Sequence, residues 1–161
     1  MKADTIRRVK YAHGYIELGA LGEAEKELDS VDLEDRLLPG VMLARVELHI
    51  TAKNWERLYT SARELTRSAP QLERGWFTAA VALREMNRIV EAKNFLQEAW
   101  FTHGHKSALL LFNLACYHAL LGHNVEAKDC LCDAFELDES LRKVAMNDPD
   151  LEPVRCDIPW L

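Results

Sequence analysis

Val90-Glu91-Ala92-Lys93 returns almost unchanged as Val125-Glu126-Ala127-Lys128, and a similar polar setting stands earlier at Gly22-Glu23-Ala24-Glu25 and Glu56-Arg57-Leu58-Tyr59. The central residues, Ala24, Leu58, Ala92 and Ala127, lie 34, 34 and 35 positions apart. Three further columns keep the same phase. Ala12, Val46, Ala80 and Ala115 precede the first column, while Leu28, Ala62, Leu96 and Leu131, then Val31, Leu65, Ala99 and Ala134, follow it. Small or aliphatic residues at fixed offsets in four successive units mean one helix-pair module used four times. A module of this kind points to binding.

Composition narrows the class of partner. The 161 residues are 48% hydrophobic and 29% charged, which suits a folded chain with a sizeable core rather than a disordered one. The formal charge of −6 comes with no basic stripe, so nucleic acid is not an expected partner. The richest apolar stretch, 107–121, is interrupted by Asn113 and His118 and falls short of the ~18 apolar residues of a membrane span. Residues 1–10 are polar and lead into no apolar segment, so the expectation is a cytoplasmic protein with no membrane partner. Cys116, Cys130 and Cys132 fall inside expected helices and Cys156 in the tail; with no disulfide-scaffold spacing, all four are expected as reduced thiols.

The seven glycines and five prolines mostly mark boundaries that the period already predicts. Asp4 or Thr5 is expected to cap a first helix running to about 18 and stopped by Gly19, with its pair over about 21–31 and a charged linker over 32–36. Pro39 opens the next helix, to about 51, followed by one over 54–68. The third pair is expected near 71–86 and 90–101, with Gly104 breaking the chain, and the fourth near 107–121 and 125–137, divided by Gly122. Strand-like alternation is missing, whereas apolar residues recur at helical spacing in every unit, so the fold is read as all-α. Beyond the period, a ninth helix is expected over 139–147 with Asp138 as its N-cap and Pro149 as its limit. The partly apolar tail is read as covering the last face of the array. The competing reading is a free docking peptide built on Ile158, Trp160 and Leu161.

These columns resemble the tetratricopeptide repeat. Trp76, Ala79, Ala80, Leu83, Asn87, Ala92, Leu96 and Ala99 follow that family's pattern in order, as do Leu114, Ala115, Gly122, Ala127, Leu131 and Ala134. The first unit keeps Tyr11, Ala12, Tyr15, Gly19, Ala24 and Leu28. The second departs most, with bulk exchanged between Leu58 and Ala62, although Pro70 closes it where the family often has proline. The closing segment also looks like ends seen on bacterial members. The resemblance implies one domain over 1–161: a superhelical array of antiparallel helix pairs, with repeats near 5–36, 39–70, 73–104 and 107–138 and a capping helix and tail over 139–161.

In the family the first helix of each pair lines a concave groove. Carried over residue by residue, this implies three groove columns: Val9, Leu43, Phe77 and Phe112; His13, Glu47, Val81 and Cys116; and Ile16, Ile50, Arg84 and Ala119. The first column is wholly apolar, and the third is apolar except for Arg84. The implied function is a non-catalytic scaffold holding a segment of a protein or peptide partner. The alternative is a secretion-system chaperone holding a hydrophobic substrate segment. A family specialisation that clamps a terminal carboxylate needs a cationic cradle; the matching positions Val9, His13, Ala44, Arg74 and Thr78 supply only Arg74, so that use is set aside.

Chemistry finds little support. His103 and His105 precede the seventh helix and His123 follows it, about 27 Å away along a helix rising ~1.5 Å per residue. Cys130 and Cys132 are two apart on a helix and point away from one another. No glycine-rich phosphate loop or nucleophile motif is present. No enzyme activity, metal, cofactor or small-molecule substrate is expected.

Overall fold

The computed structural model describes residues 2–102 and 106–155. Ten α-helices occur among them: α1 (Ala3–Glu17), α2 (Leu21–Asp29), α3 (Pro39–Thr51), α4 (Trp55–Ser68), α5 (Glu73–Glu85), α6 (Ile89–Thr102), α7 (Ala108–Leu120), α8 (Asn124–Leu137), α9 (Leu141–Ala145) and α10 (Glu152–Arg155). Short 3-10 turns occupy Leu33–Asp35 and Pro149–Leu151. The fold is all-α, as the period predicts. The expected break at Gly104 and the expected peptide anchors Ile158, Trp160 and Leu161 lie outside the described residues.

The chain divides into two compact units, Met1–Met86 and Asn87–Leu161, so the repeat expected over 73–104 spans the division. In the first unit α1 packs on α2, α3 on α4, and α4 on α5. Its core joins Ala12 and Ile16 of α1, Ala24 and Leu28 of α2, and Val41, Ala44 and Leu48 of α3. A second cluster, Met42, Leu65 and Ala69, carries half-buried Leu43 and Leu72 at its edge. Gly75 lets α5 come close to α4, since a Cβ there would meet side-chain carbons of Leu65 and Thr66 at 3.2 Å. In the second unit α6 packs on α7, and α7 on α8. Every residue of the four alanine- and leucine-rich columns is buried to within 2% of full coverage. The exchanged pair Leu58 and Ala62 is included, both at 0% exposure.

The turn inside each repeat is built alike. Gly19, Lys53, Asn87 and Gly122, again at the repeat period, all have positive φ, at 72°, 51°, 60° and 75°. At three of them the same two hydrogen bonds close the helix: Gly19 N–H to Ile16 and Ala20 N–H to Tyr15, Lys53 to Ile50 and Asn54 to His49, Gly122 to Ala119 and His123 to His118. This two-bond left-handed cap satisfies carbonyls that a helix end otherwise leaves bare.

Local expectations at the ends need correction. Neither Asp4 nor Thr5 caps α1, which starts at Ala3 with Lys2 as N-cap. Instead the Asp35 carboxylate accepts the Lys2 backbone N–H at 3.1 Å and the Thr5 hydroxyl at 2.6 Å. The supposed linker thus folds back to serve the first helix terminus, and Asp35 is buried. The ninth helix is only Leu141–Ala145, entered through Ser140. Asp138 does not cap it directly; its carboxylate accepts the Ser140 N–H and hydroxyl at 3.0 and 2.7 Å and ends α8's trailing turn. Pro149 lies beyond the ninth helix, which ends before it as expected. It opens the 3-10 turn that leads into α10, with the Asp148 carboxylate accepting the Asp150 N–H at 2.9 Å.

Candidate functional site

The twelve expected groove residues have different fates in the two units. In the first unit, His13 Nδ1 meets Glu47 Oε2 at 2.9 Å, so the second column does bring consecutive repeats into contact. Both side chains stay about 40% exposed, at 40 and 38%. Val9 and Leu43 are half-buried beside the core clusters, and Ile50 is 40% exposed. Ile16, in contrast, belongs to the core itself at 6%. On α5, Phe77, Val81 and Arg84 are each half-buried, and Arg84 pairs with Glu85 at 2.6 Å.

In the second unit the equivalent face is closed. Phe112, Cys116 and Ala119 are 4, 3 and 2% exposed. The cover is the chain's own C-terminal segment: the Pro149–Leu151 turn and α10 pack on α7, and α10 also on α8. Leu151 and Val154 are fully buried, and the Cys116 thiol approaches Asp148 Oδ2 at 3.9 Å. The composition of α7 explains the need for a cover. A helix apolar on all sides has to be buried on all sides, and α7 buries every residue from Leu110 to Ala119 except Asn113.

A polar cleft of about 280 Å³ in the first unit was not foreseen from the sequence. It is lined by Glu25 and Asp29 of α2, Arg45 and His49 of α3, and Arg57, Thr60 and Ser61 of α4. Arg45 bonds Asp29 at 3.0 Å and the Leu28 carbonyl at 2.8 Å, and Arg57 pairs with Glu25. The cleft's cations are therefore already engaged by its acids, and the arrangement ties α2 to α3 and α4. His49, at its floor, is 6% exposed; burial, helped by Arg57, holds its imidazole below the ordinary histidine range. His118 stands at the equivalent place of the fourth repeat. It is 8% exposed and likewise held low, chiefly by burial and then by Lys93 and His123 against Glu126. No signal in the single sequence separates these two buried imidazoles from surface ones, because the same repeat position carries Tyr15 and Leu83 elsewhere.

Cys116, Cys130 and Cys132 are free thiols, and burial, with Asp133, Asp129 and Glu126, pushes Cys130 up to about 11, far from a reactive thiolate. Among the described residues no group of three or more His, Cys, Asp or Glu side chains is placed to hold a metal ion. His103, His105 and Cys156 lie outside them. No described helix is long and apolar enough to cross a membrane.

No family model matches the chain, and no curated protein does. Solved structures do. One, titled "MamA MSR-1 C2", superposes with a TM-score of 0.70 at 17% identity, over 87% of this chain and 82% of that one. At such identity the likeness speaks for the fold alone, and with the four in-phase columns it gives the chain a tetratricopeptide-like, multi-helix-repeat fold.

Proposed function

We propose that the chain is a non-catalytic scaffold that holds a segment of a protein partner against the first-helix faces of its first unit. The observation that supports this most directly is the exposure left at repeated apolar positions. Leu43 and Ile50 stay partly open where Phe112 and Ala119 are closed. Val9 and Phe77 add half-buried apolar surface on α1 and α5, and the His13–Glu47 pair sets a polar mark between repeats. Half-open aliphatic and aromatic side chains on rigid helices suit the burial of a partner's apolar residues, with the few polar groups fixing its register. The sequence-level site residues Phe112, Cys116 and Ala119 enter such binding only if the C-terminal segment is displaced.

The test starts from a partner identified by capture from the native host and then purified. Leu43→Asp combined with Ile50→Asp is expected to abolish its binding while the melting temperature and helicity stay near wild type, since both side chains are partly solvated already. A double variant that binds with wild-type affinity overturns the assignment of this face.

A further inference from the structure

Residues 148–155 behave as a bound ligand does. Asp148 starts the turn through its bond to Asp150, and Arg155 Nη2 donates to the Asp148 carbonyl at 2.7 Å, so the segment closes on itself. It then presents two aliphatic side chains, Leu151 and Val154, three positions apart and both fully buried. Two features mark its seat as exchangeable. Its helical pieces of three and four residues are far below the ~12–15 residues at which an isolated helix becomes even marginal, so contact alone keeps them ordered. The Cys116–Asp148 contact, at 3.9 Å, is a weak thiol bond.

We propose that the α7 face around Phe112, Cys116 and Ala119 is a docking site for a short helical peptide opened by Asp-Pro and carrying two aliphatic residues three apart, and that residues 148–155 hold this site in cis until such a peptide displaces them. The proposal rests on reading the repeat faces as partner surfaces, and it adds the chemistry of the partner and a built-in competitor. Cys116 supports the choice of ligand. A thiol donates weakly to the leading carboxylate, whereas the equivalent Glu47 of the first unit would repel it. The α7 face therefore selects an acidic opening residue that the α3 face rejects.

Cys116 is also the reporter. In the full chain carrying Leu151→Ala and Val154→Ala, its alkylation by iodoacetamide, followed by peptide mass mapping, should quicken on the order of 100-fold, as expected when two buried aliphatic anchors are truncated. Cys130 should react as slowly as before. Adding the peptide Asn-Asp-Pro-Asp-Leu-Glu-Pro-Val-Arg should return Cys116 toward its wild-type rate, and the same peptide with Ser in place of Leu and Val should not. A rate that the peptide leaves unchanged overturns the proposal. Should Cys130 also become reactive, the variant has loosened the unit, and the wild-type chain decides: the peptide must speed hydrogen exchange at amides of 148–155, and unchanged exchange overturns the idea. Wild-type Cys116 protection that rises with protein concentration would place a second copy's tail in the site and overturn the cis assignment. None of these readings involves Leu43 or Ile50, so failure here and failure of the first-unit face remain distinguishable.

Discussion

Leu43, Glu47 and Ile50 on α3 hold the same places in their repeat as Phe112, Cys116 and Ala119 on α7. The first trio stays half-buried or exposed, and the second is covered almost completely. The repeat dictates the faces that helices turn toward one another, which is why Val46 and Ala115, or Leu28 and Leu131, are equally buried in the two units. What happens to the remaining face depends on sequence outside the period. On α3 it carries Glu47, partnered by His13, and tolerates water. On α7 it is apolar, and the non-repeating segment 149–155 closes it. One module is thus left partly exposed in one unit and covered by the chain's own C-terminal segment in the other.

The widest separation between the two should appear on truncation. Phe112→Ala is expected to cost about 3–5 kcal/mol in urea unfolding, as for other buried aromatics. Ile50→Ala, at 40% exposure, should cost less than about 1 kcal/mol. Equal costs would mean that the two faces are not differently covered, and the comparison would break.

Where the repeat governs, the units should instead respond alike. Ala80 and Ala115 are both at 0% exposure in the same column, and replacing either with Leu should overpack a helix contact by about 1–3 kcal/mol. A melting temperature unmoved by both would undo the register on which every equivalence here depends.

Acid should also act on both units. His49 and His118 are held below the ordinary histidine range by burial, so the folded chain binds their protons less readily than the unfolded one. Their stabilisation is complete above the ordinary histidine value of about 6.5 and is lost as pH falls from there through the lower folded values. His49→Tyr and His118→Leu borrow the residues found at this position in Tyr15 and Leu83. Each should flatten the decline between about pH 7 and 5, a window set by the histidine reference value and lying above the carboxylate range, where Asp35 and Asp4 add their own losses. A pH profile identical to wild type in the double variant would remove these imidazoles from the account.

The helices of the repeats were legible because each answers to several columns at once; α4, α6 and α8 begin within a residue of where the period places them. The C-terminal segment was legible only as a cover. Pro149 signals both the end of one helix and the start of another turn, and nothing periodic chooses between them. Burial of Asp35 in an apparently charged linker, and the cleft that joins Arg45 to Asp29 and Arg57 to Glu25, escaped for a related reason. Such contacts pair polar groups 16 to 33 positions apart, once each, and a contact made once leaves no repeat to read. The groove columns likewise could not reveal that Ile16 is core while Ile50 is exposed, because burial depends on what neighbours supply.

The finest comparison is among the four turns, where one backbone conformation is met by Gly19, Lys53, Asn87 and Gly122. A side chain in the left-handed region costs an L-residue about 1–2 kcal/mol, and asparagine is penalised less because its short polar side chain tolerates the region. Lys53, at φ 51°, carries that cost; the glycines at 72° and 75° do not. Glycine in turn loses more backbone freedom on folding, about 0.5–1 kcal/mol, so the net gain from Lys53→Gly should be about 0.5–1 kcal/mol. Nothing lies within 4 Å of a Cβ built on Gly19 or Gly122, so the reverse changes test the backbone alone, free of any clash. Gly122→Lys should therefore lose about what Lys53→Gly gains, read as opposite shifts in the unfolding midpoint at constant slope. If Lys53→Gly destabilises the chain, the lysine side chain is contributing more at its turn than the left-handed geometry costs, and the four turns are alike in shape but not in energy.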